Sequence, residues 1–208
     1  MTAVVTGASR GIGAAVAAAL RASGAEVITA SRSEGCDVSR EADVERLFAG
    51  LRRLDVLVNN AAVLTPRKPI VEVTTAEWDE TMAVNLRGVF LCARAALRIM
   101  IPQRSGLIIN LSSGVGLRAA PTWGPYAVSK WGVEGLTKTV AEEVRAAGIT
   151  VIAVNPGGTR TAMRAAAYPA EDPRRLKTPD RVAAFLLEIV TGRRPVTSGA
   201  TVEYGESR

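Results

Sequence analysis

The sequence predicts an α/β fold: a Rossmann-like, doubly wound parallel sheet of about seven strands, flanked by helices in three αβα layers. Three observations carry this. Short apolar runs alternate with longer segments of helical period, the pattern of successive βαβ units. The runs are continuously apolar rather than alternating with polar residues, so both faces of the sheet should be covered. The first run leads through a glycine-rich turn straight into a helix. A chain of 208 residues fits one core, and without an internal repeat, linker or low-complexity tract a single domain over residues 1–208 is expected.

Ala3–Thr6 reads as the first strand, followed by a helix from about Ile12 to Ser23 with Gly24 as its terminator. Glu26–Ser31 is the second strand. Only Arg32–Gly35 separates it from a weak third strand at Cys36-Asp37, so the usual crossover helix must be trimmed to a loop. Ser39 is placed to cap a helix carrying Val44, Leu47, Phe48 and Leu51. Val56–Val58 is the fourth strand. Thr74-x-x-Glu77 is a capping box opening a long helix to about Met100, with Pro102 beyond its end. Leu107–Leu111 and Thr150–Val154 are strands around a helix that starts near Tyr126 and is stopped by Gly148. Thr178 and Pro179 open a last helix, and Thr201–Tyr204 is a short final strand.

The chain contains no histidine, which removes His-based triads, HExxH zinc sites and imidazole bases together. Two cysteines without metal-ligand spacing give neither a disulfide framework nor a metal site. The formal charge of +6 comes from scattered arginines, and at 4% aromatics no basic–aromatic stacking pattern exists, so nucleic acid is not the expected partner. No apolar run approaches the ~20 residues of a membrane span, and the first strand begins where a leader would lie. A cytoplasmic location is expected.

Two stretches carry chemistry. Thr6-Gly7-Ala8-Ser9-Arg10-Gly11-Ile12-Gly13 lies at the first strand-to-helix junction. Glycines there let the backbone approach a pyrophosphate, and the helix N-terminus offers free N–H groups and the positive dipole end. Tyr126 and Lys130 are four residues apart on a predicted helix and share one face. An ammonium beside a phenol favours phenolate, which would bring proton exchange toward neutral pH. Ser113 lies thirteen residues earlier, across a strand end and loop. By spacing alone, an ordinary surface contact is the favoured reading of the Tyr–Lys pair; the rest of the chain overturns it.

Taken together, Thr6-Gly7-x3-Gly11-x-Gly13, Asn59-Asn60-Ala61, Asn85 in Val-Asn-Leu-Arg-Gly, Ser113, Tyr126-x3-Lys130 and Asn155-Pro156-Gly157 resemble the short-chain dehydrogenase/reductase family in order and spacing. The resemblance implies that Tyr126 is the general acid, that Lys130 lowers its pKa and holds the nicotinamide ribose, and that Ser113, with Ser112 ranked second, holds the carbonyl oxygen. Asn85 would hold a water linking Lys130 to solvent, at an irregularity in its long helix. The glycine loop, with Gly7, Ser9, Arg10, Gly11, Ile12 and Gly13, would take the pyrophosphate. Asp37 and Val38 would touch adenine, and Asn59 and Ala61 would line the adenosine side, although Asp37, Asn59 and Ala61 could also simply make turns. Pro156, Gly157, Thr159 and Thr161 would orient the nicotinamide amide.

Ser31 stands where an acidic residue would bind the ribose 2′-hydroxyl of NAD, and Arg32 and Arg10 are placed to receive a 2′-phosphate, so NADP(H) is favoured over NAD(H). Glu34 is the residue that could enter this pocket and oppose the preference. The implied activity is hydride transfer between nicotinamide and a carbonyl or secondary alcohol, a 3-oxoacyl carrier or CoA thioester being one alternative substrate. A non-catalytic NADP(H)-binding or redox-sensing protein is the competing class. Trp123, Met163 and Tyr168 are candidates to contact substrate, while Trp131 is expected to pack its helix. The family often pairs subunits through its two long helices, here Thr75–Met100 and Tyr126–Ala147, implying a homodimer or homotetramer.

Overall fold

The computed structural model describes residues 1–205. It contains a parallel six-stranded sheet in the order β2-β1-β3-β4-β5-β6. In chain order the elements are β1 (Thr2–Thr6), α1 (Gly11–Ala22), β2 (Glu26–Ala30), α2 (Glu41–Phe48), β3 (Val56–Asn59), α3 (Thr75–Met82), α4 (Gly88–Gln103), β4 (Gly106–Leu111), α5 (Gly124–Glu143), β5 (Ile149–Asn155), α6 (Ala162–Ala167), α7 (Pro179–Val190) and β6 (Thr201–Glu203). Every strand pair is parallel. The order reverses direction between β1 and β3, and at such a switch point the strand ends diverge and leave a crevice.

The sheet is covered on both sides, as its apolar strands require. Val4, Leu57, Ile108 and Val151 face α2, α4 and α5, packing on Val44, Phe48, Leu91 and Met100. Val5, Val58, Ile109 and Ile152 face α1 and α7, packing on Val16, Leu20, Phe185 and Leu186. On α7, Val182, Phe185, Leu186 and Ile189 are all buried. Continuous apolar runs thus serve two cores at once.

The sheet has one strand fewer than expected. Cys36-Asp37 forms no strand; a single 3-10 turn, Arg32–Glu34, with Gly35 in the left-handed region (φ +76°), brings the chain back so that Cys36 N–H donates to Ser31 O at 3.0 Å. The link is too short to lay another strand beside β2, which is left as the sheet edge. Ser39 does not cap α2 either. Its hydroxyl and amide both donate to Asp37 Oδ1, at 2.7 and 2.9 Å, and the position before the helix is Arg40.

The capping box forms as read: Glu77 N–H donates to Thr74 Oγ1 at 3.2 Å and Thr74 N–H to Glu77 Oε2 at 2.8 Å. The long helix changes pitch over Ala83–Arg87, a π-helical segment centred on Asn85, before continuing as α4. Pro102 lies inside α4 rather than beyond it, in the last turn, where the N–H it lacks is lost to the helix just before its end at Gln103. At the other ends, Thr178 precedes Pro179 without a side-chain cap, and α5 passes through a 3-10 turn, Arg145–Ala147, before Gly148.

Candidate active site

The strand ends of β1, β3, β4 and β5 open on a cleft of about 870 Å³. Its floor begins at the glycine turn. Gly7 and Gly11 both have positive φ (+66° and +59°), and a Cβ on Gly7 would lie 2.7 Å from the Ala61 Cα. Gly13 faces inward, where a Cβ would sit 2.3 Å from the Gly7 carbonyl oxygen. The turn is tied to β3 by Thr6, whose Oγ1 accepts from the Asn60 and Ala61 N–H groups at 3.0 and 3.1 Å. Asn60 Nδ2 donates to the Thr6 and Gly7 carbonyls at 3.0 and 3.1 Å. These bonds let the first turn of α1 face the cleft with its N–H groups available for an anion. The cradle therefore fits a pyrophosphate.

Most of the expected cofactor residues converge here: Ser9, Arg10, Ile12, Asp37, Val38, Pro156 and Thr161 line the cleft with Gly7, Gly11, Arg32, Ala61, Tyr126 and Lys130. Four do not. Gly13 acts from behind, by admitting the helix to the turn. Asn59 is buried and donates to Asn110 Oδ1 at 2.9 Å, because its side chain points across to β4; Asn60 takes the place at the cleft. Thr159 is buried and donates to Gly157 O at 3.1 Å, and neither residue lines the opening.

At the far end α5 presents Tyr126 and Lys130, both buried. Lys130 Nζ donates to the Leu111 carbonyl at the end of β4, at 2.6 Å, and lies 5.7 Å from the centre of the Tyr126 ring. The Ser113 hydroxyl lies near enough to the Tyr126 phenol to favour its ionised form, while the buried Ser112 Oγ lines the cleft with no partner among the described residues. The expected lowering of the phenol is not what this geometry produces. Burial pushes Tyr126 up to about 12, only partly opposed by the nearby Ser113 hydroxyl. Burial also drives Lys130 down to about 8, against the pull of Glu134 one turn further along α5. Desolvation of both groups outweighs their attraction.

Asn85 sits in the π segment, fully buried, but its amide is committed to protein groups. Val63 N–H donates to Oδ1 at 2.8 Å, and Nδ2 donates to Val63 O and Ser129 Oγ at 2.9 and 3.3 Å. Both side-chain hydrogens are used, and the amide clamps the segment after β3. The irregular pitch places this amide deep enough to do so.

Around the phenol, Trp123 leans on Tyr126 (5.6 Å between ring centres) and on Tyr168 (5.8 Å). Arg67, which the sequence did not single out, completes the cluster at 5.0 Å from Trp123 and 4.8 Å from Tyr168, and its Nη1 donates to Ala167 O at 2.9 Å. Met163 lines the cleft. Trp131 is half exposed, its Nε1 donating to Val115 O at 2.9 Å, so it does not pack within the core. The basic segment after β5 is partly neutralised, with Arg164 held by Glu171 and Arg174 by Asp172.

At the opposite mouth Ser31 is buried, and Arg32 is gripped by Asp37 (2.8 Å) and Glu80 (3.2 Å). Glu34 turns back onto β2, accepting from Ser31 Oγ at 2.6 Å and Thr29 Oγ1 at 2.8 Å, which holds its carboxyl below the ordinary value. It does not line the cleft. Glu80 and Cys36 do, and nothing in the local sequence marks them, since Glu80 arrives from α3.

A glycine-walled anion cradle at the sheet's switch point, leading to a buried Tyr–Lys pair, defines a dinucleotide-fold protein with an acid/base end. A family model for short chain dehydrogenases matches residues 34–172, and the chain belongs to that family. It is 34% identical over 164 residues to the oxidoreductase YciK of Escherichia coli K12, covering 79% of this chain and 65% of that one. A 3-oxoacyl-[acyl-carrier-protein] reductase of Synechocystis is 43% identical over 111 residues, 53% of this chain and 44% of that one. The matched stretches thus span under two thirds of these relatives' lengths. A solved short chain dehydrogenase of Escherichia coli CFT073, complexed with NADPH, superposes with a TM-score of 0.89 at 31% identity, over 99% of this chain and 96% of that one. Among the described residues no helix is long and apolar enough to cross a membrane, and no cluster of His, Cys, Asp or Glu is arranged for a metal.

Proposed function

We propose that this protein is an NADP(H)-dependent oxidoreductase acting on a small carbonyl compound or secondary alcohol. The observation that carries the reading is the buried Tyr126 phenol, with Ser113 near it and Lys130 beside it, at the end of a cleft that starts at the glycine cradle. Arg10 and Arg32 at the cleft, with Ser31 in place of a carboxylate, favour the 2′-phosphorylated cofactor, and the NADPH complex of the solved relative supports that choice.

NADPH, when bound, would supply the hydride. Tyr126, kept protonated by burial, donates its proton to the substrate oxygen. Ser113, and Ser112 beside it with a free buried hydroxyl, hold that oxygen in line. Lys130 adds positive charge near the developing alkoxide and, in exchange for its bond to Leu111 O, would hold the cofactor's ribose. Asn85 keeps the wall after β3 in place through Val63. Trp123, leaning on Tyr126 and backed by Tyr168 and Arg67, would bound the substrate side.

The test is the loss of reduced-nicotinamide absorbance with a panel of ketones, aldehydes and 3-oxoacyl thioesters, run with NADPH and NADH. Turnover of at least one carbonyl, faster with NADPH, is expected; tight cofactor binding with no turnover across the panel would refute it. We also propose a cytoplasmic location and self-association through the faces of α4 and α5, where Phe90, Val128 and Trp131 are exposed; sedimentation as a monomer would refute the pairing.

A further inference from the structure

Arg32 is not simply available at the cleft mouth, because two carboxylates already occupy it, and they are held very differently. Its Nε donates to Asp37 Oδ2 at 2.8 Å, and Asp37 is fixed on its other oxygen by the Ser39 amide (2.9 Å) and hydroxyl (2.7 Å). Its Nη1 donates to Glu80 Oε1 at 3.2 Å. Glu80 arrives from α3, 48 positions along the chain, with its side chain 58% exposed and no other hydrogen bond or ion pair among the described residues. One carboxylate orients the guanidinium; the other only neutralises it.

We infer that Glu80 is a specificity-determining residue for the cofactor, a counter-ion that a 2′-phosphate must displace from Arg32 while a 2′-hydroxyl need not. This rests on reading the cleft as a nicotinamide-dinucleotide site. Its donor fork matches a phosphate, and Asp37 preserves the fork's orientation after Glu80 leaves. Until then Glu80 both fills a donor that the phosphate needs and repels its negative charge. Glu80 therefore narrows the preference that Arg32 creates, and the chain discriminates less between NADP(H) and NAD(H) than Arg32 alone would make it. The cleft wall is otherwise unaffected, since Glu80 makes no contact that supports the glycine turn.

The test is calorimetric titration of the wild type, Glu80→Gln and Arg32→Gln with NADP⁺ and with NAD⁺, which needs no substrate and no turnover. Glutamine keeps the length and hydrogen-bonding reach of Glu80 and removes its charge. Glu80→Gln should tighten NADP⁺ about three- to tenfold, the scale of one exposed charge acting on a dianion, and leave NAD⁺ within twofold. Arg32→Gln should weaken NADP⁺ alone. Unchanged or weaker NADP⁺ binding by Glu80→Gln, or an equal gain for NAD⁺, would overturn the inference by showing that Glu80 props Arg32 or acts on the whole site. A wild type that binds neither nucleotide would instead overturn the dinucleotide reading beneath it.

Discussion

Replacing Gly13 by alanine puts a methyl group where the first turn of α1 meets the strand end. Built on the existing backbone, that Cβ lies 2.3 Å from Gly7 O and 2.4 Å from Asn60 Nδ2, whereas carbon contacts are comfortable near 3.5 Å. Roughly an ångström of retreat is needed, and both neighbours are fixed. The retreat must strain α1 or break the Asn60 bonds to Thr6 O and Gly7 O. Overpacking of this kind costs about 1–3 kcal/mol, and one lost buried hydrogen bond adds about 1, so a loss of about 2–4 kcal/mol is expected. Gly135→Ala is the control. Gly135 lies within α5, and a Cβ there meets nothing within 4 Å, so this change should stabilise by about 0.4–1 kcal/mol through the unfolded chain. Urea unfolding of both variants should move in opposite directions, and NADP⁺ affinity should fall for Gly13→Ala only. A Gly13→Ala midpoint equal to that of the wild type would refute the claim that the turn has no room.

Two further predictions concern protons. Lys130 is held down at about 8, so it is charged below about pH 8 and neutral above it, while Tyr126 near 12 keeps its proton throughout. The pH profile of kcat/KM for carbonyl reduction should be level near neutrality and decline through one ionisation near pH 8; a profile that climbs there would contradict it. Glu77, bonded by Lys68 and by the Thr74 amide, has its carboxyl held down at about 2, below the ordinary 4.5. Its stabilisation is present above pH 4.5 and fades as the pH falls toward 2. The Tm gap between wild type and Glu77→Gln, a change that keeps the cap geometry, should shrink over that interval, and a constant gap would refute the assignment.

The parts of the fold legible in the sequence are those set by short-range rules. The glycine turn, the Thr74 capping box and the apolar strands each follow from a few neighbouring residues. The departures have physical reasons that no local window contains. Cys36-Asp37 fails as a strand because the link after β2 is too short, and Ser39 is drawn from its cap by the Asp37 carboxylate, which also holds Arg32. At the site, motif spacing located Tyr126, Lys130 and the cradle. It could not show that burial, rather than the neighbouring ammonium, governs the phenol, since desolvation belongs to the packed structure. Glu80 and Arg67 were invisible for a related reason: Glu80 reaches the cleft, and Arg67 the aromatic rings beside Tyr126, from distant segments, and both read in sequence as ordinary surface charges.

The assignment of the proton donor is tested most directly by Tyr126→Phe, which removes one oxygen from a buried ring and leaves Trp123 and Lys130 their neighbour. The measurement is single-turnover oxidation of NADPH with a carbonyl that the wild type reduces, alongside calorimetric NADPH binding. A fall in rate of about a hundredfold or more, the usual scale of a positioned acid, is expected, with binding within a few-fold of the wild type. A variant that binds NADPH and still reduces the carbonyl at the wild-type rate would show that the proton comes from elsewhere.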